Sequence, residues 1–186
     1  MSRQRRANEP FRVVCADPPW GFSDRLPGRT RGAARNYETM TVDQIKQYPL
    51  PRIAPSALLF LWRVSSMQQE ALDVAEAWGF EVKTELVWVK LSATGGSLHI
   101  GMGRILRGAH ETCLVGARGR YAAEVLDKGQ RTVFLAPVGE HSAKPDEFYR
   151  IAERAFPGPR VELFARTARR GWEGYGRELH GEPEHP

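Results

Sequence analysis

The chain has 186 residues, enough for one domain with a full core, and its 41% hydrophobic and 26% charged residues match a globular protein. No apolar stretch approaches the roughly 20 residues of a membrane span, and the basic opening M-S-R-Q-R-R has no apolar segment behind it, as a secretory signal requires. Only Cys15 and Cys113 occur, and no Cys/His cluster has zinc spacing, which argues against a disulfide framework and a structural metal and for a reducing cytoplasm.

Residues 1–10 are polar and read as a basic, flexible tail. F-R-V-V-C-A at 11–16 is a short apolar run, read as a buried strand that leads into D-P-P-W at 17–20. Residues 21–36 carry Gly, Pro and four arginines without periodicity, a long loop of the functional or mobile kind. T-V-D-Q-I-K-Q-Y at 41–48 opens on a Thr N-cap signal and predicts a short helix that stops before Pro49.

A-L-L-F-L-W at 57–62 predicts a second buried strand. Met67, Ala71, Val74, Ala75 and Trp78 then recur at helical spacing, with Gly79 as the C-cap. E-V-K-T-E-L-V-W-V-K at 81–90 predicts a strand, and the Gly-rich 91–109 a second long loop, whose Gly101 and Gly103 read as flexibility. Strands are expected at 111–119, 131–136 and 160–165, with a helix from Pro145 between the last two. Alternating strands and helices, several strands apolar throughout, predict a three-layer α/β/α sandwich with a mostly parallel sheet. Ligands bind such sheets outside the strands' carboxyl ends, where Asp17, Trp62, Lys90 and Phe164 converge. The domain is expected over 11–180, with 181–186 as a C-terminal tail.

D-P-P-W combines a charged acceptor, two residues that need no N–H partner but offer carbonyls, and a flat aromatic ring. Two acceptors beside a ring suit a planar group bearing an NH₂, such as a nucleobase, which stacks on an aromatic side chain for about 1–3 kcal/mol. Acceptors on the hydrogens of such an amine also stabilise the positive charge that builds as it attacks an electrophile. The plainer reading is an Asp-Pro-Pro turn with a core Trp. Arg25, Arg29, Arg31 and Arg35 lie in the loop directly behind, where guanidinium forks suit phosphates; the plainer reading is a solvated loop. The net charge of +5 permits an anionic partner of that kind. Trp62 and Trp88 read as core aromatics.

The chain resembles the MT-A70 family of adenine N(6)-methyltransferases, which includes the catalytic subunit of the mRNA enzyme and many bacterial and phage DNA enzymes. The resemblance runs from about residue 11 to 179 through collinear blocks: A-D-P-P-W, N-Y-E-T-M, L-F-L-W, V-W-V-K, H-E-T-C-L-V-G-A-R-G, H-S-A-K-P-D-E-F-Y, V-E-L-F-A-R and G-W-E-G-Y-G-R-E. It implies a Rossmann-like methyltransferase whose catalytic block precedes its cofactor blocks, with S-adenosylmethionine as cofactor and direct methyl transfer without a covalent intermediate. By that resemblance Asp17, Pro18, Pro19 and Trp20 form the catalytic block, with Asp17 and the Pro18 backbone on the target amine. Trp20, Tyr37 and Glu111 adjoin the base, and the loop arginines Arg25, Arg29, Arg31 and Arg35 meet the strand. Ala16, Asp17, Lys144, Glu162, Phe164, Arg166, Arg177 and Glu178 adjoin the cofactor, Lys144 through an anionic group. The chain departs from the family at Tyr175-Gly176-Arg177-Glu178, where relatives carry Asn before the Glu or Gln, and at Thr167 and Ala168, where the mRNA enzyme has His-Asn. Arg169 or Arg170 are candidates to take over at the ribose.

The expected substrate is nucleic acid, DNA before RNA, with a catalytically silent nucleic-acid-binding subunit as the non-enzymatic alternative. A monomer or homodimer is expected, without metal or membrane.

Overall fold

The structure is a computed structural model that describes residues 9–21, 39–103, 105–139 and 143–175. Residues 1–8, 22–38, 104, 140–142 and 176–186 lie outside the described residues. With them lie Arg25, Arg29, Arg31, Arg35, Tyr37, Arg177 and Glu178.

The elements follow in the order β1 (Phe11–Ala16), α1 (Val42–Lys46), β2 (Ile53–Arg63), α2 (Gln68–Ala77), β3 (Glu81–Leu91), β4 (His110–Arg118), β5 (Val133–Pro137), α3 (Asp146–Ala155), β6 (Arg160–Leu163) and β7 (Glu173–Tyr175). The strands form one sheet in the order β5-β3-β4-β2-β1-β6-β7. The pairings β1–β2, β1–β6, β3–β5 and β6–β7 are parallel, whereas β4 runs antiparallel to both of its neighbours.

Each face of the sheet buries one layer of the core. Val14, Ala16, Leu59, Leu61 and Leu114 pack with Ile45 of α1 and Ala71, Val74 and Ala75 of α2. On the other face Val13, Cys15, Phe60, Trp62, Trp88 and Cys113 pack with Phe148, Ile151 and Ala152 of α3. The three layers are those expected from the sequence. Phe148 fixes α3 by edge-on contacts to Phe60 and Trp62, with ring centroids 5.7 and 4.9 Å away. Such pairs add about 0.5–1.5 kcal/mol each beyond area burial.

The helices begin and end as their residues dictate. Thr41 Oγ1 accepts from Gln44 N at 3.2 Å while Gln44 Oε1 accepts from Thr41 N at 2.8 Å, a complete capping box on a one-turn helix. Gly79 follows α2 in the left-handed conformation, at φ 77°.

Two strands depart most from expectation; β5 also starts two residues later, and β6 ends two residues earlier, than expected. β2 starts four residues earlier than the apolar run, at Ile53, where the Arg118 guanidinium donates to the carbonyls of Ile53 and Ala54 at 2.7 and 2.9 Å and holds this end in the sheet. β7 was not expected at all; it is three residues long and pairs only with β6.

Candidate active site

The reversed β4 explains why one residue from a strand start joins residues from strand ends. The carboxyl ends of β1, β2, β3 and β6 share an edge with the first residues of β4, and the register sets Glu111 opposite Trp88 and Cys113 opposite Trp62. Asp17 leaves β1 where Ala16 lies between Leu61 and Leu163, at the seam of β2, β1 and β6.

Lys144, just before α3, reaches over this edge. Its ammonium donates to Asp17 Oδ2 at 2.6 Å and lies 3.2 Å from Glu111 Oε2, above the Trp62 ring at 5.0 Å from the centroid. The other Glu111 oxygen pairs with Lys90 at 2.5 Å, and the Lys90 ammonium lies 5.1 Å from the Trp88 centroid. Two acids and two lysines thus alternate across β1, β2, β4 and β3, each ammonium resting on a tryptophan face. Only 8% of the Lys144 side chain is exposed. Burial disfavours its charge, but Asp17 and Glu111 outweigh burial and raise its pKa above the ordinary lysine range. Burial would likewise raise Glu111, yet Lys144 and Lys90 bring it below the usual carboxylate range. The cluster matches two acids with two bases.

The turn itself corrects the expectation of two free proline carbonyls. The Pro18 carbonyl accepts from Trp20 N and the Pro19 carbonyl from Met40 N, both at 2.8 Å, while Gly21 N donates to Met40 O at 2.9 Å. These bonds fix the direction of each carbonyl and leave each its second lone pair. They also tie Gly21 to Met40, the two sides of the arginine loop.

Trp20 departs from expectation as well. It is 4% exposed, packs in the layer with α1 and α2, and donates its indole N–H to the Trp62 carbonyl at 2.9 Å. It is a core anchor of the turn, not an open stacking face. Trp20→Phe keeps the ring but orphans a buried carbonyl, so it is expected to lower stability by about 1–3 kcal/mol; the urea unfolding midpoint measures this.

The expected cofactor residues divide. Ala16 is buried within β1. Glu162 is half-buried, and its Oε1 accepts from the Tyr149 hydroxyl at 2.7 Å. Burial pushes the Glu162 carboxyl up, against the Tyr149 hydrogen bond and the Arg169 charge. Arg169 covers the Tyr149 ring at 3.7 Å and binds Asp146 at 2.8 Å, so it braces Tyr149. Phe164 ends β6 at φ 59°, a conformation rare outside glycine, with its N–H on the Tyr175 carbonyl at 2.6 Å and its ring 4.3 Å from that of Tyr48. A non-glycine residue held there at the crevice end of a strand costs about 1–3 kcal/mol. Arg166 is exposed.

Trp62, read from sequence as a core aromatic, is 1% exposed and also the floor beneath Lys144; its indole N–H has no partner among the described residues. Lys90 was placed at a strand end but not among the site residues, and Tyr149 was not singled out. V-W-V-K carried a signal for Lys90, a cation directly after a short apolar run. Tyr149 sits at a helix position with an ordinary core reading, and only the packing of α3 on β6 pairs it with Glu162. Among the described residues no three His, Cys, Asp or Glu side chains gather as a metal-binding group.

Comparison with known proteins identifies the family. The MT-A70 profile matches residues 11–178. The chain is 35% identical over 175 residues to the N(6)-adenosine-methyltransferase MT-A70-like of Arabidopsis thaliana, covering 92% of this chain and 24% of that protein. It is 33% identical over 176 residues to the N(6)-adenosine-methyltransferase catalytic subunit METTL3 of Homo sapiens, covering 92% and 28%. It is also 27% identical over 188 residues to the type II methyltransferase M.MunI of Mycoplasma sp, covering 91% and 78%. The chain thus spans about a quarter of the length of the eukaryotic relatives it matches. With the profile running from β1 through β7, the chain belongs to the MT-A70 family.

Proposed function

We propose that this chain transfers a methyl group from S-adenosylmethionine to the exocyclic nitrogen of adenine in nucleic acid, with DNA as the polymer. The observation that carries this reading is the Asp17 carboxylate, held by buried Lys144 at the seam of the sheet and directly followed by a turn whose carbonyls are fixed in direction.

The residues at this edge suit the cofactor. A sulfonium and an ammonium favour the neighbourhood of Asp17 and Glu162, and a carboxylate suits Lys144. Asp17, Lys144, Glu162 and Phe164 are therefore the residues that would hold it. When bound, it supplies an electrophilic methyl carbon on a cationic sulfur.

Asp17 and the second lone pair of the Pro18 carbonyl accept the two hydrogens of the amine. An amine so held is turned out of conjugation with its ring, and its lone pair becomes available for in-line attack. Positive charge would grow on that nitrogen during attack, the Asp17 carboxylate would lower the energy of that charge most where water is excluded, and the proton released after transfer would pass to solvent. Lys144 would hold the Asp17 carboxylate in place. A base inside a duplex reaches this edge only after being flipped out.

The match to the type II methyltransferase M.MunI supports DNA. RNA is the second reading, favoured by the higher identity to the proteins named for adenosine. Tritium transfer from labelled S-adenosylmethionine to matched single-stranded DNA, duplex DNA and RNA, with the modified base identified by mass spectrometry, separates them. The expected result is N(6)-methyladenine in DNA, with a rate that falls steeply as salt rises. Label in RNA alone overturns the polymer assignment, and no label with no cofactor binding by calorimetry leaves a silent binding subunit.

A further inference from the structure

We propose that Tyr149 is a positioning residue for the cofactor: its hydroxyl holds the Glu162 carboxylate toward the cofactor's cationic end, and the Arg169–Asp146 pair holds Tyr149. This inference rests on the reading of S-adenosylmethionine as the cofactor. Glu162 stands opposite Cys15 in the register of β6 on β1, on the face covered by α3. Its neighbours Val161 and Leu163 pack into the other layer. A carboxylate there, one residue before the end of β6, lies close enough to Asp17 and Lys144 to feel both charges.

Tyr149 sits in the first turn of α3, five residues after Lys144. Its hydroxyl donates to Glu162 Oε1 at 2.7 Å, which leaves Oε2 for a ligand. The ring that carries the hydroxyl is boxed in. It is 7% exposed, with Phe148 and Trp172 edge-on at 5.1 and 5.5 Å and the Arg169 guanidinium over its face at 3.7 Å. Asp146 holds Arg169 at 2.8 Å, and Glu153 Oε1 accepts the Trp172 indole N–H at 2.8 Å. The segment at 164–172, which carries Phe164 and Arg166, is therefore fastened to α3 at two points. Arg169 was a candidate for the ribose; these contacts set it against Tyr149 instead.

The electrostatics suit the role. Burial works against charge on Glu162, while the Tyr149 hydrogen bond and the Arg169 charge work for it. Burial above all pushes the Tyr149 hydroxyl up, so it stays protonated and donates. The plainer alternative is a core aromatic whose hydroxyl has found an acceptor, a role that would affect stability alone.

Calorimetry of S-adenosylmethionine on the full chain, across about pH 5–8, separates the two. The wild-type chain is expected to bind, and to lose affinity as pH falls through the Glu162 pKa, because a protonated carboxyl no longer attracts the cation. Tyr149→Phe keeps the ring and removes the donor. It is expected to weaken binding about tenfold near neutral pH. In the tritium-transfer assay it should raise KM and leave kcat within about twofold. It should also move the acid loss of binding to higher pH, since Glu162 loses a group that lowers its pKa. Cys15, Asp17, Lys144 and Arg169 also act on Glu162 or are acted on by it, and this variant leaves all four in place. Arg169→Gln should shift the profile the same way by less. In a Glu162→Gln background, Tyr149→Phe should cost about twofold or less, because the hydroxyl acts through that carboxylate. Circular dichroism checks each fold, and if Tyr149→Phe unfolds the chain, an Arg169→Gln profile without a shift overturns the proposal. Wild-type affinity in Tyr149→Phe, or an equal loss in the Glu162→Gln background, also overturns it and leaves the cofactor reading standing. A wild-type chain that binds no S-adenosylmethionine overturns that reading, and the proposal with it.

Discussion

Asp17→Ala is expected to reduce methyl transfer by about 10²–10³-fold or more, the scale seen when one preorganised electrostatic group is removed from a reacting centre, while the chain stays folded. Both halves of that expectation come from the same contacts. Asp17 is the carboxylate that β1 delivers to the crevice, directly before the Pro18 carbonyl. Its loss leaves Lys144 with Glu111 at 3.2 Å and with the Trp62 face, so the buried ammonium keeps a counterion and the core is untouched. Asp17→Asn refines the result. It retains an acceptor of similar shape but removes the charge, so transfer should stay low if charge stabilisation matters and recover substantially if a neutral acceptor suffices. Single-turnover rates at saturating cofactor, with calorimetric cofactor binding alongside, separate a loss of chemistry from a loss of binding. Turnover of Asp17→Ala within about twofold of wild type would remove Asp17 from the mechanism, because that is a barrier change well under 1 kcal/mol.

How much of this was legible in the sequence depends on whether the signal was local. F-R-V-V-C-A, the Thr41 capping box and the Gly79 stop are local signals, and each element formed where its residues said. Local chemistry also pointed to Asp17, and the family resemblance to Lys144. What it could not supply was strand direction. Glu111 begins its strand, and in a wholly parallel sheet it would sit at the far edge from Asp17. Only the reversal of β4 brings it to Lys144, and that reversal is written in pairing with β2 and β3, not in the residues of β4. The same holds for the proline carbonyls, which read as free because their partners, Trp20 N and Met40 N, are set by the return of a distant segment. Trp20 read as a platform for a similar reason. An aromatic after two prolines looks exposed until the Trp62 carbonyl is seen to take its N–H. The segment at 98–109 is the converse case, where glycines that suggest freedom in sequence are required by a backbone that folds tightly against itself.

Lys144→Met is expected to destabilise the chain by about 3 kcal/mol at neutral pH, the low end for breaking a buried ion pair. Met retains the apolar stem over Trp62 but removes the cation shared by Asp17 and Glu111. The low end applies because Lys90 still holds Glu111 at 2.5 Å and the Asp17 side chain is 35% exposed, so water takes up part of the loss. The change in pH dependence is the more specific signature. In the wild-type chain the Glu111 carboxyl lies below its ordinary 4.5, so its contribution is complete above that pH and is lost as pH falls through the folded value. Lys144 lies above its ordinary 10.5, so its contribution is complete below that pH and is lost as pH rises through the folded value. Removing Lys144 abolishes the alkaline contribution and returns Glu111 toward its ordinary titration, so the wild-type advantage over the variant should shrink below about pH 4.5 and again above about pH 10.5. Urea midpoints across pH measure this directly, and parallel wild-type and variant profiles would mean that Lys144 stabilises by packing alone. Lys144→Arg separates charge from geometry. Its guanidinium restores the cation between the acids and should restore much of the stability, whereas transfer should recover less, because a planar fork cannot hold the Asp17 carboxylate at the point set by a compact ammonium.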